Sequence, residues 1–204
     1  MNYARIIGTG GYLPKNKVSN NDLAKLKKLD TSDKWIIERT GIKTRHIAED
    51  DETSLSMANE AAKQAIKNSN LDKDDIDLII YASCTPSGTM PSDACKIQQM
   101  LGIPAGAAAF DINASCSGFV YAVATADQFI RGGLAKCALI IGSDKMTSLL
   151  DWNDRSTCVL FGDGAGAMIL KADTYPGIMS SLIGANGSKS QLLYTDNNNF
   201  IQMS

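Results

Sequence analysis

The chain has 204 residues, of which 44% are hydrophobic and 21% are charged, as in a globular protein with one large domain or two small ones. Twenty basic residues against 22 acidic ones give a net charge of −2, which excludes a strongly basic nucleic-acid-binding surface and gives no reason to expect a polybasic membrane patch. No apolar run reaches the roughly 18 residues that a membrane span needs. Five cysteines without a CxxC pair, together with a single histidine, favour a reduced cytoplasmic protein without a structural metal site.

The predicted elements alternate between amphipathic helices and short apolar strands. In chain order they are a strand at 4–8, helices at 20–27, 32–39 and 54–68, a strand at 78–83, a helix at 91–101, a strand at 107–112, a helix at 116–131 and a strand at 137–142. Thr53 or Ser54 is predicted to cap the third helix. Pro91 is predicted as the first residue of the fourth helix, which ends at Gly102.

The last part of the chain gives weaker patterns. Residues 157–161 and 167–171 are predicted to form a hairpin around a glycine-rich segment, and residues 178–184 are a candidate strand. The final five residues form no predicted element. Residues 173–177 are the first composition break, so we predict one domain over residues 1–172 and the beginning of another over residues 173–204.

The order of elements between residues 77 and 143 defines the fold class. Strand, helix, strand, helix and strand follow one another at intervals that suit right-handed crossovers between parallel strands. The sequence therefore predicts an α/β fold whose mostly parallel sheet is covered by helices on both faces.

Two glycine motifs do not predict a nucleotide site. Residues 8–11 follow a strand, but Tyr12-Leu13-Pro14 comes next, whereas the dinucleotide fingerprint opens a helix. Residues 162–167 have neither the dinucleotide spacing nor the lysine of a P-loop. We expect these glycines to permit a tight turn or a close approach of two backbones.

Cys116 is the candidate nucleophile among the five cysteines. The other four are predicted to be small buried residues: Cys84, Cys95, Cys137 and Cys158. Cys116 lies where a strand gives way to a helix, and the positive end of the helix dipole favours the thiolate form. Small neighbours leave room for a substrate: Ala114, Ser115, Ser117 and Gly118. The alternative, a packed cysteine in a turn, stays open on this pattern alone.

The segment around Cys116, DINASCSGF, resembles the nucleophile segment of the β-ketoacyl–acyl carrier protein synthase III family, a branch of the thiolase-like condensing enzymes. Four further segments resemble the family in the same order: residues 6–14, 35–42, 91–98 and 154–167. The resemblance runs from about residue 3 to about residue 195. It implies one half of the layered αβαβα thiolase-like fold.

The resemblance also implies an activity and its partners. Members of the family accept a short acyl group from acyl-CoA on the cysteine and condense it with malonyl-acyl carrier protein, which releases carbon dioxide and a 3-oxoacyl product. The implied partners are acyl-CoA, acyl carrier protein and a second copy of the chain in a homodimer. No cofactor is implied, because the CoA thioester is a substrate, and no metal is implied.

Carried over residue by residue, the resemblance makes Cys116 the nucleophile. Trp35 and Arg155 correspond to the pair that sandwiches the CoA adenine, and Arg39 and Thr31 correspond to positions near the CoA diphosphate. Met90 corresponds to a residue that reaches across the dimer to the partner's acyl pocket. His46, the sole histidine, does not match the family's catalytic histidine, and we interpret it as structural.

Family members have two similar halves, and the second half supplies a histidine, an asparagine and a glycine-rich loop. This sequence stops before all three, so the resemblance implies the first half with a short piece of the second. Two alternatives to a fatty acid enzyme remain. One is a related condensing enzyme with another primer, for secondary metabolism or 3-hydroxy-3-methylglutaryl-CoA synthesis. The other is a non-catalytic module for dimerisation or carrier-protein binding.

Overall fold

The structure is a computed structural model that describes residues 2–204. In chain order its elements are β1 (Tyr3–Tyr12), β2 (Lys17–Ser19), α1 (Asn20–Lys27), α2 (Asp33–Thr40), β3 (Thr44–His46), α3 (Ser54–Ser69), β4 (Leu78–Ala82), α4 (Asp93–Leu101), β5 (Ala108–Ile112), α5 (Gly118–Arg131), β6 (Cys137–Lys145), α6 (Arg155–Cys158), β7 (Asp163–Asp173), β8 (Leu193–Thr195) and β9 (Ile201–Met203). Short 3-10 turns lie between several of them.

The chain divides into two compact units, each assembled from three separate segments. The sheet unit comprises the residues up to Tyr12, Thr53–Asp144 and Gly164–Ile183. The tryptophan unit, which contains both tryptophans of the chain, comprises Leu13–Glu52, Lys145–Asp163 and Gly184–Ser204. The boundary predicted at residue 172 concerns the two halves of the family fold, and it stays a prediction.

A five-stranded sheet in the order β1-β7-β6-β4-β5 forms the centre of the sheet unit. β4 pairs in parallel with both β5 and β6, while β1 pairs antiparallel with β7. All five residues of β4 are buried, which explains why this strand is a continuous apolar run rather than an alternating one. The predicted α/β fold with a mostly parallel sheet core is confirmed.

Helices cover both faces of this sheet. α3 and α4 pack on one face, where the core includes Ala61, Ile97 and Ile79. α5 packs on the other face, where Ile130 meets Leu78 and neighbouring apolar residues. The alternation of side chains along β4 sends successive residues to opposite cores, as the geometry of a strand requires.

The glycines of β1 permit a close approach of α3. An ideal Cβ built on Gly8 would lie 2.5 Å from the backbone oxygen of Ala65, and one built on Gly10 would lie 2.2 Å from that of Ala61. β1 therefore continues through its glycine motif to Tyr12 instead of ending at Gly8 as predicted. Its glycines pack against a helix backbone, which is the packing role that the sequence indicates for them.

Polar side chains set the beginnings of the main helices. Ser19, Ser32 and Thr53 each accept a hydrogen bond from a backbone N–H of the first turn, and Thr53 forms a capping box with Ser56. The N-cap of α4 is Ser92, so Pro91 lies outside the helix, and its predicted place as the first helical residue is wrong. The Ser92 hydroxyl accepts a hydrogen bond from the Cys95 N–H, and a proline side chain at the N-cap has no acceptor for this N–H.

Three other predicted elements differ from the structure. Residues 157–161 form no strand, because Asp154 caps the short helix α6 and turns the apolar residues after it toward the core. The hairpin partner predicted at 167–171 belongs to β7 and pairs with β1 instead. Residues 178–184 contain no regular element, whereas residues 201–203, predicted to form none, are strand β9 and pair with β8.

The tryptophan unit has its own apolar core. Its buried members come from all three segments of the unit: Val18, Leu23, Ile36, Leu149, Leu150, Cys158, Val159 and Ile201. Two short antiparallel ribbons, β2 with β3 and β8 with β9, complete the unit. Among residues 2–204, no helix combines the length and the apolar character that spanning a bilayer requires.

Candidate active site

Cys116 lies in a 3-10 turn, Ser115–Ser117, that connects β5 to α5. Its side chain is exposed. The turn is held by a hydrogen bond from the Ser115 N–H to Asn113 Oδ1 (3.0 Å) and by one from the Ser117 N–H to the Ala114 carbonyl (3.1 Å). The predicted strand-to-helix elbow is present, although α5 itself begins at Gly118, two residues later than predicted. An exposed thiol just before a helix N-terminus is open to an incoming substrate.

The carboxyl ends of the parallel strands bring further polar groups to the edge where this turn lies. Ala82 of β4 is opposite Ile112 of β5 and Gly142 of β6, so the residues that follow these strands emerge together. Asp144 accepts hydrogen bonds from the Cys84 N–H (2.8 Å) and from the Ser83 hydroxyl (3.0 Å). Asp144 thereby fixes the loop after β4.

A cavity of about 480 Å³ opens at this edge of the sheet unit. Its lining includes Ser83, Thr89 and Asn113, the last of which also holds the Cys116 turn. Apolar side chains, hydroxyl groups and the Asp111 carboxylate all contribute to its wall.

The remaining thiols differ from Cys116 in their surroundings. Burial raises the pKa of the Cys84 thiol to about 12, and the Asp144 carboxylate adds to the shift. Burial likewise raises the pKa of Cys137 to about 12 and that of Cys158 to about 11. Cys84 is half-buried, and Cys158 lies in α6 rather than in the predicted strand. Cys95 is exposed on α4, so its predicted burial is wrong: the apolar stripe of α4 runs through other positions of the helix.

We expect iodoacetamide near pH 7.5 to label Cys116 and Cys95 and to leave the other three thiols unmodified. Thiolate is the reactive form, and thiols with a pKa of 11 to 12 remain protonated at this pH. Peptide mapping after substoichiometric reagent gives the site of each adduct. Cys116 is expected to react first, because it lies exposed in the turn before α5, whereas Cys95 lies within helix α4.

The variant Cys95→Ser provides the control for this experiment, since it removes the other exposed thiol and should leave Cys116 labelling unchanged. Labelling of all five cysteines in urea shows that each peptide can be detected. Preferential modification of Cys84, Cys95, Cys137 or Cys158 in the folded protein would contradict the assignment of Cys116 as the nucleophile.

In the tryptophan unit, the structure brings three of the four predicted CoA-binding residues together. The Arg39 guanidinium carbon lies 4.3 Å from the centroid of the Trp35 ring, and that of Arg155 lies 5.1 Å from it. Arg39 follows Trp35 by one helical turn on α2, and Arg155 is the first residue of α6. Both arginines are exposed, and Trp35 is half-buried against the core of the unit. Both guanidinium groups thus lie over the Trp35 ring, a contact that cations and aromatic rings form readily.

Thr31, the fourth of these residues, precedes α2 and lies four positions before Trp35. Its hydroxyl oxygen is buried and has no hydrogen-bond partner among the residues that the structure describes. A buried hydroxyl of this kind normally has a partner, so the Thr31 hydroxyl is unsatisfied in this structure.

Met90 lies on the surface, and His46 makes a contact within the fold. The Met90 side chain is 82% exposed in the segment that leads to α4, so it is accessible to a second molecule. His46 ends β3, and its Nδ1 donates to the Pro14 carbonyl. The His46 contact supports the structural interpretation. The role predicted for Met90 stays a prediction.

Sequence reasoning missed two buried charges in the tryptophan unit. The Arg45 guanidinium donates to Asn20 Oδ1 (2.7 Å) and to the Val159 carbonyl (3.2 Å), and burial lowers its pKa from the ordinary arginine value. The Asp163 carboxylate accepts from the Ala48 N–H (2.8 Å) and from the N–H and hydroxyl of Thr147 (2.9 and 2.6 Å). Neither charge has a local sequence signal, because its partners lie far along the chain.

No group of three or more histidine, cysteine, aspartate or glutamate side chains is placed to hold a metal ion within residues 2–204. The structure shows two features of chemical interest in the described residues. They are one accessible thiol at a strand end and one aromatic ring flanked by arginines.

The mixed sheet with parallel core strands, the helices on both faces and the cysteine elbow at a strand end agree with the thiolase-like fold that the resemblance implies. The family model of 3-oxoacyl-[acyl-carrier-protein] synthase III matches residues 110–187. The β-ketoacyl-[acyl-carrier-protein] synthase III of Neisseria gonorrhoeae is 53% identical over 193 residues, which cover 95% of this chain and 60% of that protein. The predicted resemblance to the synthase III family is confirmed.

Solved structures agree with this match. The crystal structure of 3-oxoacyl-[acyl-carrier-protein] synthase III from Aquifex aeolicus has a TM-score of 0.93 at 50% identity, covering 98% of this chain and 64% of that one. The priming β-ketosynthase of the R1128 polyketide pathway also has a TM-score of 0.93, at 31% identity, covering 98% of this chain and 63% of that one. The chain thus spans about 60% of the length of the curated relatives that it matches.

Proposed function

We propose that this chain carries the acyl-accepting cysteine and the coenzyme A-binding residues of a β-ketoacyl–acyl carrier protein synthase III. The observation that carries the proposal is the exposed Cys116 thiol, held in a turn between a parallel strand and a helix. The sequence identity to the synthases supports it independently. The reaction starts fatty acid synthesis from a short acyl-CoA, for which we propose acetyl-CoA.

In the first half of the reaction, the Cys116 thiolate attacks the carbonyl carbon of the acyl-CoA thioester. A bond forms between Sγ and the acyl carbon, and the bond to the CoA sulfur breaks as the tetrahedral intermediate collapses. The CoA thiolate leaves with the electron pair and takes up the proton that Cys116 gave to the solvent. The acyl group is then a thioester of Cys116.

In the second half, malonyl-acyl carrier protein loses carbon dioxide, and the resulting enolate carbon attacks the acyl carbonyl on Cys116. A carbon–carbon bond forms, and the Cys116 thiolate leaves, which regenerates the nucleophile and gives 3-oxoacyl-acyl carrier protein. Positioned donors must stabilise the charge on the malonyl thioester oxygen in this step. We propose that the full enzyme acts in the cytoplasm as a homodimer, with Met90 reaching the partner's acyl pocket.

For coenzyme A itself, we propose that the adenine stacks on Trp35 beside Arg155. Arg39 then meets the diphosphate, since a guanidinium fork donates to phosphate oxygens. The family resemblance adds Thr31, whose buried hydroxyl must become exposed to reach the same phosphates. The arrangement supports a nucleotide thioester as the acyl donor, because a carrier protein presents no adenine.

A condensing enzyme with another primer is the second candidate. The resemblance to a priming β-ketosynthase of polyketide synthesis favours it. A series of acyl-CoA donors with increasing chain length separates the two, because a fatty acid starter enzyme should react fastest with acetyl-CoA.

Incubation of the purified chain with acetyl-CoA is expected to add one acetyl group to Cys116. Intact mass spectrometry detects the adduct, and peptide mapping identifies the modified residue. The matched variants are Cys116→Ser, which should remain unmodified, and Cys95→Ser, which should be acetylated at the rate of the parent. Acetylation that persists in Cys116→Ser, or none in the folded parent, would remove the basis for this function.

A further inference from the structure

We propose that Lys27 and Lys28, together with Arg155, bind the 3′-phosphate of coenzyme A and allow the site to discriminate coenzyme A from its 3′-dephospho form. The inference rests on the proposed function, because it takes the adenosine of coenzyme A to stack on Trp35. It adds a binding group for a phosphate monoester that neither Trp35 nor Arg39 accounts for.

The two lysines reach the site through the end of helix α1. Lys27 is the last residue of α1, and Lys28 follows in the left-handed conformation with a φ of 52°. The Lys28 N–H donates to the carbonyls of Ala24 and Lys25, which closes the helix. This turn directs two consecutive lysines into one cavity of about 400 Å³.

Arg155 connects this cavity to the adenine site. It lines the same cavity as Lys27 and Lys28, while its guanidinium carbon lies 5.1 Å from the Trp35 ring. One of its guanidinium nitrogens donates to the Asp30 carbonyl, which orients the side chain. A group attached to an adenosine stacked on Trp35 is therefore within reach of the cavity.

The charges that line the cavity favour an anion. Three cationic side chains, Lys27, Lys28 and Arg155, oppose the carboxylates of Asp30 and Asp154. Asp154 already caps α6, where it accepts from the Ser156 N–H at 2.9 Å. Asp30 is fully exposed and lies 3.7 Å from Arg155, a distance at which solvent screens most of the attraction. A phosphate dianion would therefore meet an excess of positive charge.

The chemistry of coenzyme A supplies such an anion at the right place. Its ribose carries a phosphate monoester at the 3′ oxygen and a diphosphate at the 5′ oxygen. Arg155 lines the cavity with the two lysines and Arg39 does not, so a 5′ diphosphate at Arg39 leaves this cavity for the 3′-phosphate. Lysine ammonium groups bind phosphate as point charges on flexible stems.

A purely structural role is the alternative for these lysines. Cations at the end of a helix stabilise its dipole, and the Lys27 ammonium also lies 4.1 Å from the centroid of the Trp152 ring. That role affects the stability of the fold but does not distinguish one nucleotide from another. The phosphate site and the purely structural role therefore predict different ratios of the affinity for coenzyme A to the affinity for 3′-dephospho-coenzyme A.

The experiment compares the binding of coenzyme A and 3′-dephospho-coenzyme A by isothermal titration calorimetry. We expect the parent chain to bind coenzyme A about 10-fold more tightly, the effect of a charge-assisted phosphate contact. The double variant Lys27→Gln/Lys28→Gln should lose this preference and keep its affinity for the dephospho form. Lys25→Gln, on the same helix but outside the cavity, should retain the preference.

Trp35→Ala separates this inference from the proposed function. This variant should lower the affinity for both nucleotides by the same factor, because both carry the adenine. Equal affinities of the parent for the two nucleotides, or a preference that survives in the double variant, would overturn the 3′-phosphate site while leaving the coenzyme A site intact. Binding of neither nucleotide by a folded parent would instead overturn the proposed function, and the inference with it.

Discussion

Gly10→Ala is expected to lower the free energy of unfolding of the sheet unit by about 3 kcal/mol or more, the upper part of the range for overpacking. An added Cβ would lie 2.2 Å from the Ala61 oxygen and 2.5 Å from the Ala65 nitrogen. Both are backbone atoms of α3, so no change of rotamer relieves the collision. Strand and helix must separate, which also loosens the alanine-rich interface between them.

Gly11→Ala is the matched control, because its nearest contact would be the Ala165 oxygen at an ordinary 3.7 Å. Far-UV circular dichroism in urea measures the stability of each variant, and hydrogen exchange locates the loss in β1 and α3. Equal unfolding midpoints for the two variants would show that β1 and α3 do not pack as closely as described.

Asp163→Ala is expected to destabilise the tryptophan unit by about 3 kcal/mol, the cost of leaving buried donors without their charged partner. The variant removes the acceptor of the Ala48 and Thr147 N–H groups, which water cannot replace in this buried position. The loss should be large although the side chain removed is small. It arises from the unpaired donors rather than from lost packing.

Tryptophan fluorescence is a selective probe for this prediction, because Trp35 and Trp152 both belong to the same unit. Asp50→Ala, at an exposed loop position, controls for the loss of one carboxylate and should leave the urea midpoint unchanged. A midpoint for Asp163→Ala as high as that of the control would mean that Asp163 is not the acceptor that holds this region.

The fold was predictable where a sequence pattern has a single physical interpretation. Continuous apolar runs predicted β4 and β6, and the capping residue Thr53 predicted the beginning of α3. The hairpin at 157–161 failed because a short apolar run is compatible with a buried strand and with a buried helical turn. Only the Asp154 cap separates the two, and it is a weak local signal.

The candidate site likewise contains features that the local sequence predicts and features that only the tertiary fold sets. The elbow at Cys116 is a local feature, so the residues around it predict it. Trp35 and Arg39 are one helical turn apart and are expected to be neighbours once α2 is predicted. Arg155 joins them only through the tertiary fold, and the family resemblance rather than any periodicity placed it there. The partners of Arg45 and Asp163 are likewise set by long-range packing, which a single sequence does not show.

The interleaving of the two units has a consequence for how the chain acquires its structure during synthesis. The core of the tryptophan unit needs Leu23 from its first segment, Val159 from its second and Ile201 from its third. Leu23 therefore leaves the ribosome long before Val159 and Ile201 do, and the apolar surface that they cover stays open during the synthesis of most of the chain. Such long-range closure is slow and exposes apolar segments to aggregation. For the same reason, neither unit can be isolated by cutting the chain at one point, and a shortened version that stops before Ile201 would leave this core incomplete.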